Sequence, residues 1–174
     1  PITRAGVTCS VAGASYYLVS NLIASGSSAV LTVATNDVTL DLNGFSILGR
    51  TGSGNGIYFN SGYVNVLVRN GTIRDCYYHG IYAQNASQCT FMDLRIMDNA
   101  RFSTAYAGLR AGQYAKVVNC RLEGNGDGLW VRNGSEVRGC TVALNNQGLV
   151  AETRALIAGN HILYNTGPGL RLTE

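Results

Sequence analysis

The sequence predicts an all-β fold, a parallel β-solenoid of about six to seven rungs with three short strands in each. Three observations predict it. A Gly followed by an aliphatic residue recurs at Gly56-Ile57, Gly80-Ile81, Gly108-Leu109, Gly128-Leu129, Gly148-Leu149 and Gly169-Leu170, at intervals of 24, 28, 20, 20 and 21 residues. Repeats of this length mark stacked supersecondary units. Within a unit the period is two: Val64, Val66 and Val68 alternate with Asn65, Leu67 and Arg69, as strands require. Composition agrees, because among 174 residues 46% are hydrophobic and only 13% charged, with 22 Gly and 16 Asn, so the Lys and Glu that solvate helices are missing. No apolar run is long enough to span a membrane. The net charge of +3, from 12 Arg and one Lys against 10 acids, is too weak to indicate nucleic acid.

Taken in chain order, residues 1–29, with Tyr16-Tyr17-Leu18-Val19, lack the repeat and are expected to form an N-terminal cap region of a single domain, 1–174. Residues 30–174 then form the stacked rungs. A corner residue followed by alternation into an aliphatic opens one strand per rung: Gly44 to Ile47, Asn70 to Ile73, Asp93 to Ile96, Asn119 to Leu122, Gly139 to Val142 and Gly159 to Ile162. One unit cannot bury its own apolar face, but stacking units at a strand spacing of roughly 4.8 Å makes a continuous core. Ile47, Ile73, Ile96, Leu122, Val142 and Ile162 should form one inward column. Phe45, Gly71, Leu94, Cys120, Cys140 and Asn160 should form its neighbour. Asn99, Asn125, Asn145 and Asn165 read as an Asn ladder in a turn, with left-handed backbone at each Asn and Cys76 in the place of one rung's Asn. The C-terminal end, Gly169 to Glu174, stops inside a strand and reads as uncapped, which implies a cut from something longer or packing on another subunit.

Chemistry is expected where the repeat is interrupted. Tyr77, Tyr78 and His79 stand between Cys76 and Gly80, eight residues including Arg101, Phe102 and Tyr106 stand between Asn99 and Gly108, and Gly49–Asn55 with Arg50 occupies the same place one unit earlier. Insertions stacked on one corner make a wall, often the binding face of a solenoid. Beside it run two outward columns, Arg74, Met97, Glu123, Ala143, Leu163 and Tyr58, Tyr82, Arg110, Trp130, Val150, Arg171. Aromatic rings stack on sugars and Arg forks onto carboxylates or sulfates, so Tyr58, Tyr77, Tyr78, Tyr82, Tyr106 and Trp130 are the substrate-binding candidates. The plainer alternative is that Tyr58, Tyr82 and Trp130 stabilise the sheet or a subunit interface. His79 is a candidate general base. Arg95 and Arg121 on successive rungs form a second basic patch. The five Cys lack paired spacing and read as free thiols, which fits a reducing compartment.

The stretch Val38-Thr-Leu-Asp-Leu-Asn-Gly44 resembles the opening rung of right-handed parallel β-helices of the pectin lyase-like superfamily. So does Val66-Leu-Val-Arg-Asn-Gly-Thr-Ile-Arg-Asp75 followed by Gly80-Ile-Tyr82, and the resemblance extends over roughly residues 30 to 172. It implies a protein that binds, or cleaves by β-elimination, an acidic polysaccharide or other glycan, located outside the cell or at its surface. The superfamily's lyases hold Ca²⁺ through clustered carboxylates and use Arg or Lys as base. That makes Asp75 and Asp98 the metal candidates and Arg74, Arg101 and Arg110 the base candidates. The hydrolase motifs Asn-Thr-Asp, Asp-Asp and Gly-His-Gly are absent, and Asn165-Thr166-Gly167 loses the acid at its third residue. The alternative is a non-catalytic assembly module, a homo-oligomer formed through the outward aromatic column or the open end.

Overall fold

A computed structural model describes residues 1–101, 103 and 105–174; Phe102, named above in the wall, lies outside the described residues. The chain winds through about seven turns and contains no helix among the described residues. The first turn carries β1 (Val7–Cys9), β2 (Ser15–Tyr17) and β3 (Leu22–Ile23), and the second β4 (Leu31–Val33), β5 (Thr39–Asp41) and β6 (Ser46–Leu48). The third has β7 (Ile57–Phe59) and the long β8 (Leu67–Arg74), the fourth β9 (Ile81–Ser87) and the long β10 (Thr90–Met97). Three strands per turn return with β11 (Ala107–Gln113), β12 (Lys116–Val118) and β13 (Arg121–Glu123), then β14 (Asp127–Val131), β15 (Glu136–Arg138) and β16 (Thr141–Ala143). The seventh turn is β17 (Gln147–Ala151), β18 (Leu156–Ala158) and β19 (His161–Leu163), followed by β20 (Leu170–Leu172).

All pairings are parallel, and they make three faces. The first face runs β1-β4-β7-β9-β11-β14-β17-β20 in chain order. The second joins β2, β5, β8, β10, β12, β15 and β18, and the third joins β3, β6, β8, β10, β13, β16 and β19, with β8 and β10 bending through both. Residues 1–29, read from the sequence as a cap region, carry β1–β3 and wind as a first turn, with β1 on β4, β2 on β5 and β3 on β6. The clue was Gly6-Val7, the same Gly-aliphatic pair that opens the later turns.

The register puts the columns where alternation places them. Ile47 pairs with Ile73, Ile73 with Ile96, Ile96 with Leu122 and Leu122 with Val142, all five fully buried, and Val142 pairs with Ile162. The corners recur with equal regularity. Left-handed backbone falls at Asn65, Asn70 and Asp75 in one turn, at Gln88, Asp93 and Asp98 in the next, and at Tyr114, Asn119 and Gly124 in the one after. In these three turns each corner is five residues from the next on the two short sides, whereas the second turn, with Asp37 followed by Asn43 and Gly44, is longer there.

The left-handed conformation does not sit on the ladder Asn themselves. It sits one residue earlier, at Asp98, Gly124, Leu144 and Tyr164, because the bend there turns the following side chain into the coil. Inside, the Asn99 backbone N–H and Nδ2 donate to Asn125 Oδ1 at 3.0 and 3.1 Å, Asn125 donates likewise to Asn145, and Asn145 to Asn165. Cys76 closes the upper end by donating its backbone N–H to Asn99 Oδ1. The Gly column packs tightly against the ladder, the inward aliphatic column and the carbonyl of the next turn. A Cβ on Gly128 would lie 2.6 Å from a Val142 methyl and 2.7 Å from both Asn145 Nδ2 and the Gly148 carbonyl. Gly128→Ala should therefore cost about 1–3 kcal/mol by overpacking, seen as a fall in thermal unfolding midpoint with an unchanged β-sheet circular dichroism spectrum.

All five Cys are buried and free. Cys76, Cys89, Cys120 and Cys140 each follow a corner and act as inward ladder members. The Cys120 N–H, for example, donates to Cys140 Sγ. Burial pushes the Cys76 thiol up to about 12 and the Cys9 and Cys89 thiols to about 11, far from thiolate reactivity at neutral pH. Such thiols behave as small hydrophobes and carry no information about compartment.

Candidate functional site

The three interruptions of the repeat knit together on the corner between the third and first faces. Ser53 Oγ accepts the backbone N–H groups of Arg50 and Tyr77, and Asn55 Oδ1 accepts that of His79. His79 in turn accepts the Ala107 N–H on Nδ1 at 2.9 Å, which ties its loop to the next. Short polar side chains thus fix loops that have no ladder of their own.

The wall separates two surfaces. On one side Arg50, Asp75, Tyr77, Asp98 and Arg101 line an open cleft of about 460 Å³. Arg74 borders it, with Nη1 3.1 Å from Asp75 Oδ2, and Arg101 Nε stands 3.7 Å from Asp98 Oδ1. Arg50 enters none of the ion pairs among the described residues. Asp75 and Asp98 occupy the same corner position one turn apart, as their spacing suggests, but each faces an arginine. No group of three or more His, Cys, Asp or Glu that could hold a metal ion occurs among the described residues. Ca²⁺ takes roughly six to eight oxygens, and two carboxylates already engaged by guanidinium groups do not fit it.

On the other side lies the outward column of the first face, in the register Tyr58, Tyr82, Arg110, Trp130, Val150, Arg171. Its ring faces are already engaged. Tyr58 and Tyr82 stack at 5.8 Å, and the Arg110 guanidinium lies 4.0 Å above the Trp130 ring. These contacts tie neighbouring turns together on the first face and engage one face of each ring. Tyr77 and Tyr78 remain 45% and 37% exposed and meet edge to face at 5.2 Å, and Tyr106 packs behind Tyr78 at 4.8 Å.

A family model described as a right-handed β-helix region matches residues 5–162. The chain belongs to that family. No curated protein and no solved structure matches it.

Within this right-handed β-helix His79 ties two loops together. It is 5% exposed, its ring packs against Tyr82 and Tyr106, and burial together with the nearby Arg110 lowers its pKa to about 4. A neutral imidazole whose Nδ1 lone pair already accepts a backbone N–H has no free lone pair for proton abstraction at neutral pH. Because the unfolded chain binds this proton below about pH 6.5 and the folded chain only near 4, the stabilisation is full above 6.5 and is lost as pH falls toward 4. Over that window His79→Gln should flatten the decline in unfolding midpoint, read by calorimetry at a series of pH values.

One buried acid escaped the sequence reading. Asp127 is only 3% exposed; burial raises its pKa, while Gln147 Nε2 at 3.3 Å and the nearby Arg110 and Arg171 act the other way. In the sequence it is one polar residue in Asn-Gly-Asp-Gly, which reads as a turn; only the pairing of β14 with β17 sets it beside Gln147.

Proposed function

We propose that this β-helix binds an acidic polysaccharide in the cleft of Arg50, Arg101 and Tyr77, outside the cell, and holds it without cleaving it. The observation that carries this reading is the convergence of Arg50, Arg101 and the exposed Tyr77 on one cleft. Guanidinium forks suit uronate or sulfate groups, an exposed phenol ring suits a sugar face, and Asp75 and Asp98 suit sugar hydroxyls. No metal, membrane or nucleic acid enters the reading. Binding rather than cleavage is proposed because the one free lone pair of His79, on Nδ1, already accepts the Ala107 N–H and Arg74 and Arg101 face carboxylates, so none of them is poised as a base.

The test is calorimetric titration with oligouronates and sulfated oligosaccharides, with and without Ca²⁺, while ultraviolet absorbance follows any unsaturated product. Saturable binding with a flat trace supports the proposal. A rising trace shows β-elimination and replaces binding alone with catalysis. No heat with any anionic glycan removes the reading. In that case the assembly alternative, favoured by the exposed Leu144, Leu163 and Tyr164 on neighbouring turns, is tested by sedimentation for a stable oligomer.

A further inference from the structure

We infer that a second sugar site, for a neutral pyranose, lies on the corner between the first and second faces, built around Tyr114. The residue is 56% exposed and its backbone is left-handed, with φ of 53°. The same corner carries Asp37, Asn65, Gln88, Gly134 and Arg154 in other turns. A bulky aromatic in this conformation is held against its backbone preference and gains little by burial. Leu144 and Tyr164 share the conformation at another corner. What marks out Tyr114 is that it stands between two concavities, of about 450 and 340 Å³.

The linings specify the ligand class. Asn65, Gln88, Thr90, Lys116 and Glu136 line the first concavity, and Asn133, Thr153 and Arg154 the second. Amides and hydroxyls around an exposed ring recognise vicinal hydroxyls and the apolar face of a sugar; Lys116 and Glu136 offset each other in the first concavity, and the single guanidinium of the second, Arg154, can donate to hydroxyls, so no carboxylate or sulfate is demanded. The next turn makes room for the ring: Gly134 stands beneath it, where a Cβ would lie 2.6 Å from Tyr114 Cδ1. This site shares no lining residue with the cleft of Arg50 and Arg101 and does not rest on the function proposed for that cleft.

Left-handed backbone makes the test clean, because glycine suits the position better than tyrosine does. Tyr114→Gly should unfold at the same temperature as the wild type or higher. The probes are neutral gluco-, xylo-, manno- and galacto-oligosaccharides titrated to about 1 mM into isotope-labelled protein, followed by amide chemical shifts. At least one series should shift the amides of Gln88, Tyr114 and Lys116. Tyr114→Gly and Gln88→Ala should each weaken that binding about tenfold or more, while Arg50→Ala/Arg101→Ala should leave it unchanged. The inference is overturned if no series moves those amides, if Tyr114→Gly binds as the wild type does, or if the cleft variant abolishes the effect. Loss of uronate binding alone would count against the cleft and not against this site.

Discussion

Asn125→Ala should lower stability by about 3–4 kcal/mol, because an unsatisfied buried polar group costs roughly 1–3 kcal/mol and this change disturbs several at once. Asn125 Oδ1 accepts both the backbone N–H and the Nδ2 of Asn99, and its own Nδ2 donates to the Ile96 carbonyl and to Asn145 Oδ1. Alanine leaves the Asn99 N–H and Nδ2 without their acceptor and the Ile96 carbonyl without its donor, all of them buried. In a chain of this length the unfolding midpoint should fall by about 10 °C. Asn165→Ala removes the same kind of contact from a half-buried position, where water can reach the freed groups, and should cost less than half as much. Calorimetry on the two variants checks the contrast; equal losses would mean that water at the half-buried Asn165 does not replace the lost partners.

Replacing both cleft arginines, Arg50→Ala/Arg101→Ala, should weaken binding of an oligouronate by about a hundredfold or more, since hydrogen bonds to charged groups contribute roughly 1.5–3 kcal/mol each. Folding should be nearly unaffected: Arg101 is largely exposed, and its distance of 3.7 Å from Asp98 makes a surface pair of little net value. Arg50→Lys and Arg101→Lys should recover only part of the affinity, because an ammonium is a point charge and cannot present the two-pronged fork. Titrations at low and physiological salt check this, and the salt sensitivity of the wild type should shrink in the double variant.

The stacked body was legible in the residues, and the cleft was legible only as a neighbourhood. Arg74, Asp75, Tyr77, Asp98 and Arg101 do gather where the interruptions coincide, and the wall divides them from Tyr58, Tyr82, Arg110 and Trp130, which the sequence set in a column beside that wall. That Arg110, one turn away, lies over the Trp130 ring is a contact that spacing alone does not show. His79 reads as a loop base until its Nδ1 is found bonded to Ala107.

The difference has a physical origin. In an in-register parallel coil each residue stacks on its equivalent one turn later, so an interval along the chain is a contact in space. Period-two alternation and the Gly, Asn and corner intervals were therefore enough to specify the turns from residue 30 onward, the inward columns and the ladder, though not the first turn, whose corners lack the repeat. Segments 49–55 and 77–79 and the residues between Asn99 and Gly108 have no such repeat. Arg50, Tyr77, His79 and Ala107 are placed instead by single bonds, and those of Ser53, Asn55 and His79 reach backbone more than twenty residues away. Non-periodic contacts of that kind leave no trace in spacing, so which side chains line the cleft, which acid is buried and which ring remains exposed were decided only when the turns packed.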